Sequence, residues 1–457
     1  MITFALVHKR PRNTNTAAMV KLKSLAERVF VVLALFLSTA ALIPVLLDTE
    51  ETSGQPVDPL TPILFTGIYA VTLVLIAERS KSFTRVASKE IFVWLLVGLA
   101  VASIQWTFGP EITPRRALLL VGTTAFGVYV STRYSLREQL QLLAWAFGII
   151  IVLSFVFAIA LPSYGLMTYQ EEGAHAGAWR GVMMHKNILG RLMTLSSIVF
   201  LLLASGDSTS ERKYRWLFWT GFILSVALVI LSTSKSALVV CVTMMLLVPL
   251  YKALRGKYNH VVPLLIAVVL VAGASGALLL ENLEAIAGAL GKDLTLTGRT
   301  DIWAVMLEMI SKRPLFGYGY NGFWLGWDSE VSAYIWHTLQ WECPYAHNGF
   351  MDLLAELGIT GLGLFLLSFG FAYFKGLVFL RKTKTPEGVW PLLYLTYIVI
   401  YNITETSLLS SNSIFWIVYV MVVFSTAVEY DQFKIGYRNK PLEEEWIDVR
   451  ASNEQNF

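Results

Sequence analysis

Residues 343–367, CPYAHNGFMDLLAELGITGLGLFLL, indicate the fold class and raise the question of function. The second half of this stretch is almost continuously apolar, as expected for a helix that crosses a membrane. A single histidine, His347, stands where a polar, aromatic-rich segment meets that apolar run. It could be a structural residue, a ligand or a general base. The choice depends on which side of a membrane it faces.

The composition of the whole chain agrees with a membrane protein. Of its 457 residues, 55% are hydrophobic and 15% are charged, and the mean hydropathy is +0.59. Soluble domains are closer to half apolar and a quarter charged. The two cysteines, Cys241 and Cys343, are too few for a disulfide framework or a zinc site. We expect both to pack as small hydrophobic residues.

About twelve segments are long and apolar enough to be transmembrane helices. They are residues 28–47, 60–77, 90–107, 116–132, 139–161, 187–204, 215–232, 235–251, 261–281, 350–374, 389–405 and 412–429. The first is expected to be a retained helix and not a cleaved signal peptide, because its apolar stretch is long enough to span. The sequence therefore predicts an all-α, polytopic helical bundle that forms one transmembrane domain, residues 1–457.

Positive charge orients these predicted helices. Five segments and both chain ends hold 26 of the 36 Lys and Arg residues; the segments are 79–89, 133–137, 212–215, 252–257 and 375–384. Cytoplasmic loops carry such an excess, so both termini, including a tail at 430–457, are predicted to be cytoplasmic. The opposite side then holds a large periplasmic loop, residues 282–347, and a smaller segment, residues 162–186.

The predicted topology also sorts the histidines. His8 and His260 fall on the cytoplasmic side, whereas His175, His185, His337 and His347 fall outside. No pair has the spacing of a helical zinc site, so a metal enzyme is not expected. A lone histidine at a membrane surface is usually structural. The same residue type is the commonest general base near neutral pH, so both interpretations of His347 stay open.

The large outer loop contains a predicted amphipathic helix. Thr300 or Asp301 can cap it, and it should run to about Lys312 before Pro314. Arg299 stands just before its first turn, beside free N–H groups and a partial positive charge that favour phosphate. Arg299 could help to bind a diphosphate. It could equally reach lipid headgroups or pair with Asp301.

The remainder of that loop is rich in aromatic residues. Residues 316–350 contain eleven Trp, Tyr and Phe residues, interspersed with Gly, Asn, Asp and Glu. Such rings can form the interfacial belt of a membrane protein. They can equally form a sugar-binding surface, since the C–H faces of sugars stack on aromatic rings. The sequence leaves both interpretations open.

A second group of cations lies in and after the smaller outer segment. Its members are Arg180, His185, Lys186, Arg191 and Lys235. Ionisable groups at membrane depth indicate a functional site, unless nearby carboxylates pair with them. The candidate carboxylates are Glu171, Glu172 and Glu405. Together with His347, these cations suit an anionic substrate carried by a lipid.

Three polar residues after His347 recur at intervals of four: Asn348, Asp352 and Glu356. On a helix they would share one stripe. That stripe must face the bundle interior or a wet cavity. A carboxylate there could orient a catalytic group or pair with an arginine on the substrate side.

Three of these stretches resemble motifs of one bacterial membrane-protein superfamily. The stretches are RGVMMHKNILG (180–190), TGRTDIW…RPLFGYGYNGF (297–323) and AHNGFMDLLAELGITGL (346–362). In the same order, they resemble signature segments of the O-antigen ligase and polymerase superfamily. The HKN and TGRTDIW segments are more similar to exopolysaccharide polymerases of the ExoQ kind than to lipopolysaccharide ligases.

The resemblance implies a GT-C-like glycosyltransferase of the bacterial inner membrane that works at the periplasmic face. It would polymerise undecaprenyl-diphosphate-linked repeat units during exopolysaccharide synthesis, without a cofactor or metal. Transfer of finished O-antigen to lipid A core or to a protein is the alternative, and polysaccharide transport is a third possibility. The implied partners are the lipid-linked donor and acceptor glycans, membrane lipids, a flippase and a chain-length regulator. No nucleic acid is implied.

The resemblance also implies roles for individual residues. His347 corresponds to the proposed catalytic base of the family. Arg299 and Lys235 correspond to the arginines that hold the diphosphate, and a lysine at 235 keeps the charge but loses the bidentate fork. The further substrate-binding candidates are Arg180, His185 and Arg191. The supporting candidates are Asn348, Asp352 and Glu356.

Overall fold

The computed structural model describes residues 14–42, 60–168, 176–206, 212–256, 261–281 and 299–438. Within these ranges the regular elements are helices, and one isolated bridge pairs Leu166 with Trp179. Fifteen helices of eight or more residues lie in the described ranges. They are α1 (Thr14–Leu37), α2 (Leu60–Glu78), α3 (Ser80–Ala87), α4 (Ile91–Ala102), α5 (Thr113–Arg133), α6 (Leu136–Ala160), α7 (Lys186–Ala204), α8 (Arg215–Leu231), α9 (Lys235–Ala253), α10 (Val261–Glu281), α11 (Arg299–Lys312), α12 (Glu330–Leu339), α13 (Gly349–Lys382), α14 (Trp390–Thr404) and α15 (Ile414–Arg438).

Every segment predicted to cross a membrane overlaps one of these helices. Within the described ranges, six helices are long and apolar enough to span: α6, α7, α8 with its preceding turn, α9, α13 and α15. Helices α2 and α3 meet at 102° and would together count as a seventh span, while α4 and α10 are apolar but shorter. The all-helical, multi-pass architecture is therefore confirmed, and the number twelve stays a prediction.

Helices α14 and α15 form the centre of the bundle. Helix α15 packs against α5 and α13, and α14 packs against α9 and α13. Trp390, Tyr394 and Trp416 on these two helices are among the largest fully buried side chains. Apolar side chains surround α14 on all sides, which is the pattern of a helix enclosed by other helices. Peripheral helices expose large apolar residues such as Leu73 and Ile223, as a lipid-facing surface does.

The segments predicted to be cytoplasmic meet at one end of the bundle. Arg79 and Arg133 both bind the buried carboxylate of Glu27 on α1, at 3.0 and 3.2 Å. Residues of three such segments line one pocket: Arg137, Lys252 and Lys384. This grouping agrees with the predicted topology. Their location in the cytoplasm stays a prediction.

Residues 299–347, which we call the loop unit, fold around a small core of their own. Helix α11 ends at Lys312 as predicted but begins at Arg299, so the predicted capping residues Thr300 and Asp301 lie inside its first turn. Its buried residues include Ile302 and Met306. These pack with Phe323, Ile335 and other residues of the same segment. Helix α12 was not predicted from the sequence. The loop unit is thus a folded cap on the bundle and not an open loop.

Some predictions concern residues outside the described ranges. These residues are His8, Glu171, Glu172, His175, His260 and the part of the large loop at 282–298. The predicted tail at 430–457 is corrected at its start, because α15 continues to Arg438. Residues 439–457 also lie outside the described ranges.

Helix α13 is broken at Gly358, and the loop unit fills the break. Gly358 has φ 65° and ψ −169°, a conformation essentially restricted to glycine. The N–H of Ile359 donates to the carbonyl of Pro314 at 2.8 Å, and the N–H of Gly319 donates to the carbonyl of Glu356 at 2.8 Å. Because the loop unit pairs backbone groups that the break frees, the kink leaves few of them unsatisfied. The same bonds attach the loop unit to α13.

Candidate active site

His347 lies at the junction between the loop unit and α13. Its φ of 50° falls in the left-handed region, which few residues other than glycine adopt. The next residue, Asn348, caps α13: its Oδ1 accepts hydrogen bonds from the N–H groups of Phe350 and Met351, at 3.0 and 3.2 Å. Asn348 is therefore an N-cap, and its supporting role is to begin the helix directly after His347.

Asp352, one turn into α13, holds the segment that carries His347. Its Oδ1 accepts from the indole N–H of Trp324 at 2.7 Å and from the backbone N–H of Ala346 at 3.2 Å. Its Oδ2 accepts from the hydroxyl of Thr406. The buried carboxylate thus joins the loop unit, α13 and the segment after α14. It positions His347 through the neighbouring Ala346.

Two predicted residues act electrostatically on His347. Burial lowers the pKa of His347, and the charges of Arg299 and then His185 lower it further, to about 4. The ring centroid of Tyr345 lies 4.3 Å from that of His347. Within the described residues, the buried Nδ1 of His347 has no hydrogen-bond partner. The backbone and the Tyr345 ring therefore orient this imidazole, and no described carboxylate does so.

Helix α7 contributes His185 and Arg191. His185 is its N-cap, and Nδ1 accepts from the N–H of Asn187 at 3.1 Å. The guanidinium of Arg191 lies over the rings of Tyr401 and Phe415, at 4.7 and 4.6 Å. Its Nε and Nη1 are buried and have no hydrogen-bond partner in the part of the chain that the structure describes. Buried charged donors require an acceptor, and a phosphate oxygen would supply one.

The side chain of Arg180 donates hydrogen bonds to backbone carbonyls. Its side chain is buried, Nε donates to the carbonyl of Tyr164 at 2.8 Å, and Nη2 donates to the carbonyl of Ser163 at 3.2 Å. These bonds hold the turn that follows α6. They occupy Nε and Nη2 of Arg180, and its role in substrate binding stays a prediction.

Lys235 is the exposed first residue of α9. The start of α9 packs tightly against α7: a Cβ added at Gly190 would lie 2.8 Å from that of Ala237. The first turns of α7 and α9 therefore lie side by side. This places Lys235 at the end of the bundle that carries His185.

A polar cavity of about 230 Å³ lies beside Tyr345, and we call it the Arg116 cavity. Its polar lining includes Arg116, Tyr345, Asp352, Glu356, Ser410 and Ser411. The predicted stripe of Asp352 and Glu356 thus does face a cavity. Arg116 is the first residue of the predicted span 116–132, and nothing in the sequence linked it to Glu356. Nothing in the sequence indicated a functional role for Ser410 or Ser411, which follow α14.

The aromatic residues of 316–350 divide between two environments. Tyr318 and Phe323 are buried in the core of the loop unit, whereas Trp327 and Trp341 are exposed. Core packing was neither of the two interpretations drawn from the sequence. Both cysteines are buried and free, as expected. Within the described ranges, no group of three or more His, Cys, Asp or Glu side chains is placed so that it could hold a metal ion.

The fold and this site define a multi-pass membrane protein with an imidazole and cations collected at one end of a helical bundle. A family model described as O-antigen ligase matches residues 220–366. The chain is also 25% identical over 342 residues to the exopolysaccharide production protein ExoQ of Rhizobium meliloti strain 1021, an alignment that covers 71% of this chain and 75% of that protein. Both findings support assignment of the chain to the O-antigen ligase/polymerase family of membrane polysaccharide-processing enzymes.

Proposed function

We propose that this protein polymerises undecaprenyl-diphosphate-linked oligosaccharide repeat units at the periplasmic face of the inner membrane. The main support is the placement of the His347 imidazole within electrostatic range of Arg299 and His185. Arg191 lies near the same group, since its charge interacts with Tyr345, whose ring contacts His347. The similarity to an exopolysaccharide production protein supports polymerisation.

The proposed reaction is a displacement at the anomeric carbon of the donor sugar. His347 accepts the proton of an acceptor hydroxyl as the oxygen attacks from the face opposite the diphosphate. The new glycosidic C–O bond forms while the bond from the anomeric carbon to the phosphate oxygen breaks. Arg299, Arg191 and Lys235 neutralise the departing lipid diphosphate. General-base help provides about 10²–10⁴-fold, and the cations supply electrostatic stabilisation beyond that.

The low pKa of His347, about 4, has a direct consequence for this mechanism. The imidazole is neutral at pH 7 and free to accept a proton, but it is a weak base. Burial is the largest cause of this low pKa and the charge of Arg299 the next, and a bound diphosphate beside Arg299 would offset the contribution of that charge. Substrate binding therefore strengthens the base toward the pH at which general bases work best.

Ligation is the second candidate, because the matching family model is described as O-antigen ligase. The chemistry at the anomeric carbon would be the same. Only the acceptor would differ, as lipid A core or a protein in place of a second repeat unit.

The test is a deletion strain complemented with wild type, His347→Ala or His337→Ala. His337 is an exposed histidine of the same loop unit and serves as the matched control. We expect His337→Ala to restore surface glycan, and His347→Ala to reach the membrane but abolish chain extension. Single repeat units left on carrier lipid indicate a polymerase, and long chains left on carrier lipid indicate a ligase. Normal polymer from His347→Ala would refute the proposed base.

A further inference from the structure

The Arg116 cavity has no part in the mechanism derived so far. It brings together the start of α5, the loop unit, α13 and the segment after α14. Four separate stretches of chain thus converge on polar space of about 230 Å³. Ligand pockets for drug-sized molecules occupy roughly 300–1,000 Å³, so this cavity suits one sugar ring and not a longer oligosaccharide.

A guanidinium and a carboxyl group face this space without closing on each other. The carboxyl of Glu356 interacts with the charge of Arg116 and with the backbone N–H of Asn321. Within the described ranges, however, no ion pair of 4.0 Å or less joins Arg116 to a carboxylate. A guanidinium donor and a carboxyl acceptor are therefore both available to a third group placed between them.

The charge of the lining argues against a second diphosphate site. Asp352 and Glu356 both line the cavity, against the single cation Arg116. One guanidinium beside two carboxyl groups gives no excess of positive charge for a phosphate, whereas a neutral sugar can donate hydroxyls to the carboxyl groups and accept from the arginine. Asp352 is already bonded to three donors, so Glu356 is the carboxyl with acceptor capacity left.

Tyr345 connects the cavity to the proposed base. Its side chain lines the cavity, and its ring centroid lies 4.3 Å from that of His347. Trp324 also lines the cavity, and the bond from its indole N–H to Asp352 holds that ring in place. Fixed aromatic faces beside hydrogen-bonding groups are the surroundings in which a sugar ring stacks.

We propose that the Arg116 cavity binds the terminal sugar of the acceptor glycan. Arg116 and Glu356 bind its hydroxyls, Tyr345 and Trp324 contact its ring, and the hydroxyl that reacts is presented to His347. This inference rests on the proposed glycosyl transfer. It adds an acceptor subsite, distinct from the cations that hold the donor diphosphate.

The kinetic test uses full-length protein in lipid nanodiscs. The acceptor probe is the repeat-unit oligosaccharide of the host's own surface polysaccharide, released from carrier lipid by mild acid, and the donor is the lipid-linked repeat unit. Arg116→Gln and Glu356→Gln should each raise the KM for the acceptor about 10-fold or more, since the first removes the guanidinium donors and the second replaces one carboxyl oxygen with an amide NH₂ group. The KM for the donor should stay within about 2-fold.

The matched control is Arg115→Gln, which changes the preceding, exposed residue of the same helix turn and should leave both constants unchanged. If Arg116→Gln does not fold, the same two KM values are compared in Ser411→Ala and Glu356→Gln. An unchanged acceptor KM in these variants, or an equal rise for the donor, overturns the subsite.

A binding measurement separates this inference from the proposed function. Titration of the same oligosaccharide, followed by tryptophan fluorescence, needs no turnover. Binding by wild type and by His347→Ala, with loss in Arg116→Gln, supports the subsite even where transfer is not detected. Transfer by wild type, together with undiminished binding in Arg116→Gln, overturns the subsite and leaves the proposed function standing.

Discussion

Replacing Asp352 tests whether the structure holds His347 in place through a buried carboxylate. In Asp352→Ala, three donors lose their acceptor: the Trp324 indole, the Ala346 amide and the Thr406 hydroxyl. A buried donor left unsatisfied costs about 1–3 kcal/mol. Part of that sum is recovered because a buried carboxylate no longer has to be desolvated. We therefore expect the free energy of unfolding to fall by about 2–4 kcal/mol.

Asp352→Asn is the informative companion to that variant. The amide keeps an oxygen for the Trp324 indole and the Ala346 amide, and its NH₂ group can donate to the hydroxyl of Thr406. We expect a loss of about 1 kcal/mol. Glu111→Gln, at an exposed carboxyl, is the control and should change stability by no more than about 0.5 kcal/mol.

The assay follows thermal unfolding of the full-length protein in nanodiscs by tryptophan fluorescence. Glycosyl transfer is then measured at a temperature where every variant is folded. A loosened His347 should lower the rate of Asp352→Ala by about 10²-fold, since a displacement near 1 Å has that effect. The reasoning fails if Asp352→Ala is as stable and as active as Asp352→Asn.

Two further predictions follow from the backbone and from the electrostatics of the site. The pKa of His347, about 4, lies below the usual value near 6.5. The acid limb of the pH profile of kcat/KM should therefore fall near pH 4–5, and Arg299→Gln should move this limb to higher pH. A wild-type limb at about pH 6.5 would contradict the role of His347 as the base. As the pH falls, the His347 imidazole is protonated at a higher pH in the unfolded chain than in the folded protein. The free energy of unfolding should therefore decrease between about pH 6.5 and pH 4. A Cβ at Gly358 would lie 2.3 Å from the carbonyl oxygen of Leu315, at a φ of 65°. Gly358→Ala should therefore cost at least about 2 kcal/mol in thermal unfolding, whereas Gly363→Ala, with no atom within 4 Å, should cost nothing; equal stability of the two would show that the kink does not need glycine.

Local features of the molecule were predictable because local sequence encodes them. The end of α11 at Lys312 follows from Pro314, and its buried face follows from the spacing of Ile302 and Met306. Its start was predicted too late, because Thr300 and Asp301 lie within the helix. The start of α13 at Gly349 follows from the change to an apolar run at residue 350. The length of each apolar run predicted a helix, and every predicted span overlaps a helix in the structure. Each inference needs only residues within a turn or two of one another.

Features that depend on distant residues were missed. Helix α12 lies in an aromatic-rich stretch whose rings are shared between the loop-unit core and its surface, so no single periodicity marks it. The break at Gly358 is stable because residues near Pro314 pair with it. The bonds of Asp352 join segments that no local pattern relates, and Arg116 and Glu356 line one cavity from two such segments.

The sequence by itself determined that this chain is a helical membrane protein and that a long apolar helix follows His347. Only the tertiary structure decided that Arg299 and His185 act on that imidazole, that Arg180 is engaged in holding a turn, and that Arg116 faces Glu356. The reason is physical. Apolar length and capping act along one helix, whereas the neighbours of a charged side chain are set by how separate helices pack, and one segment does not encode that packing.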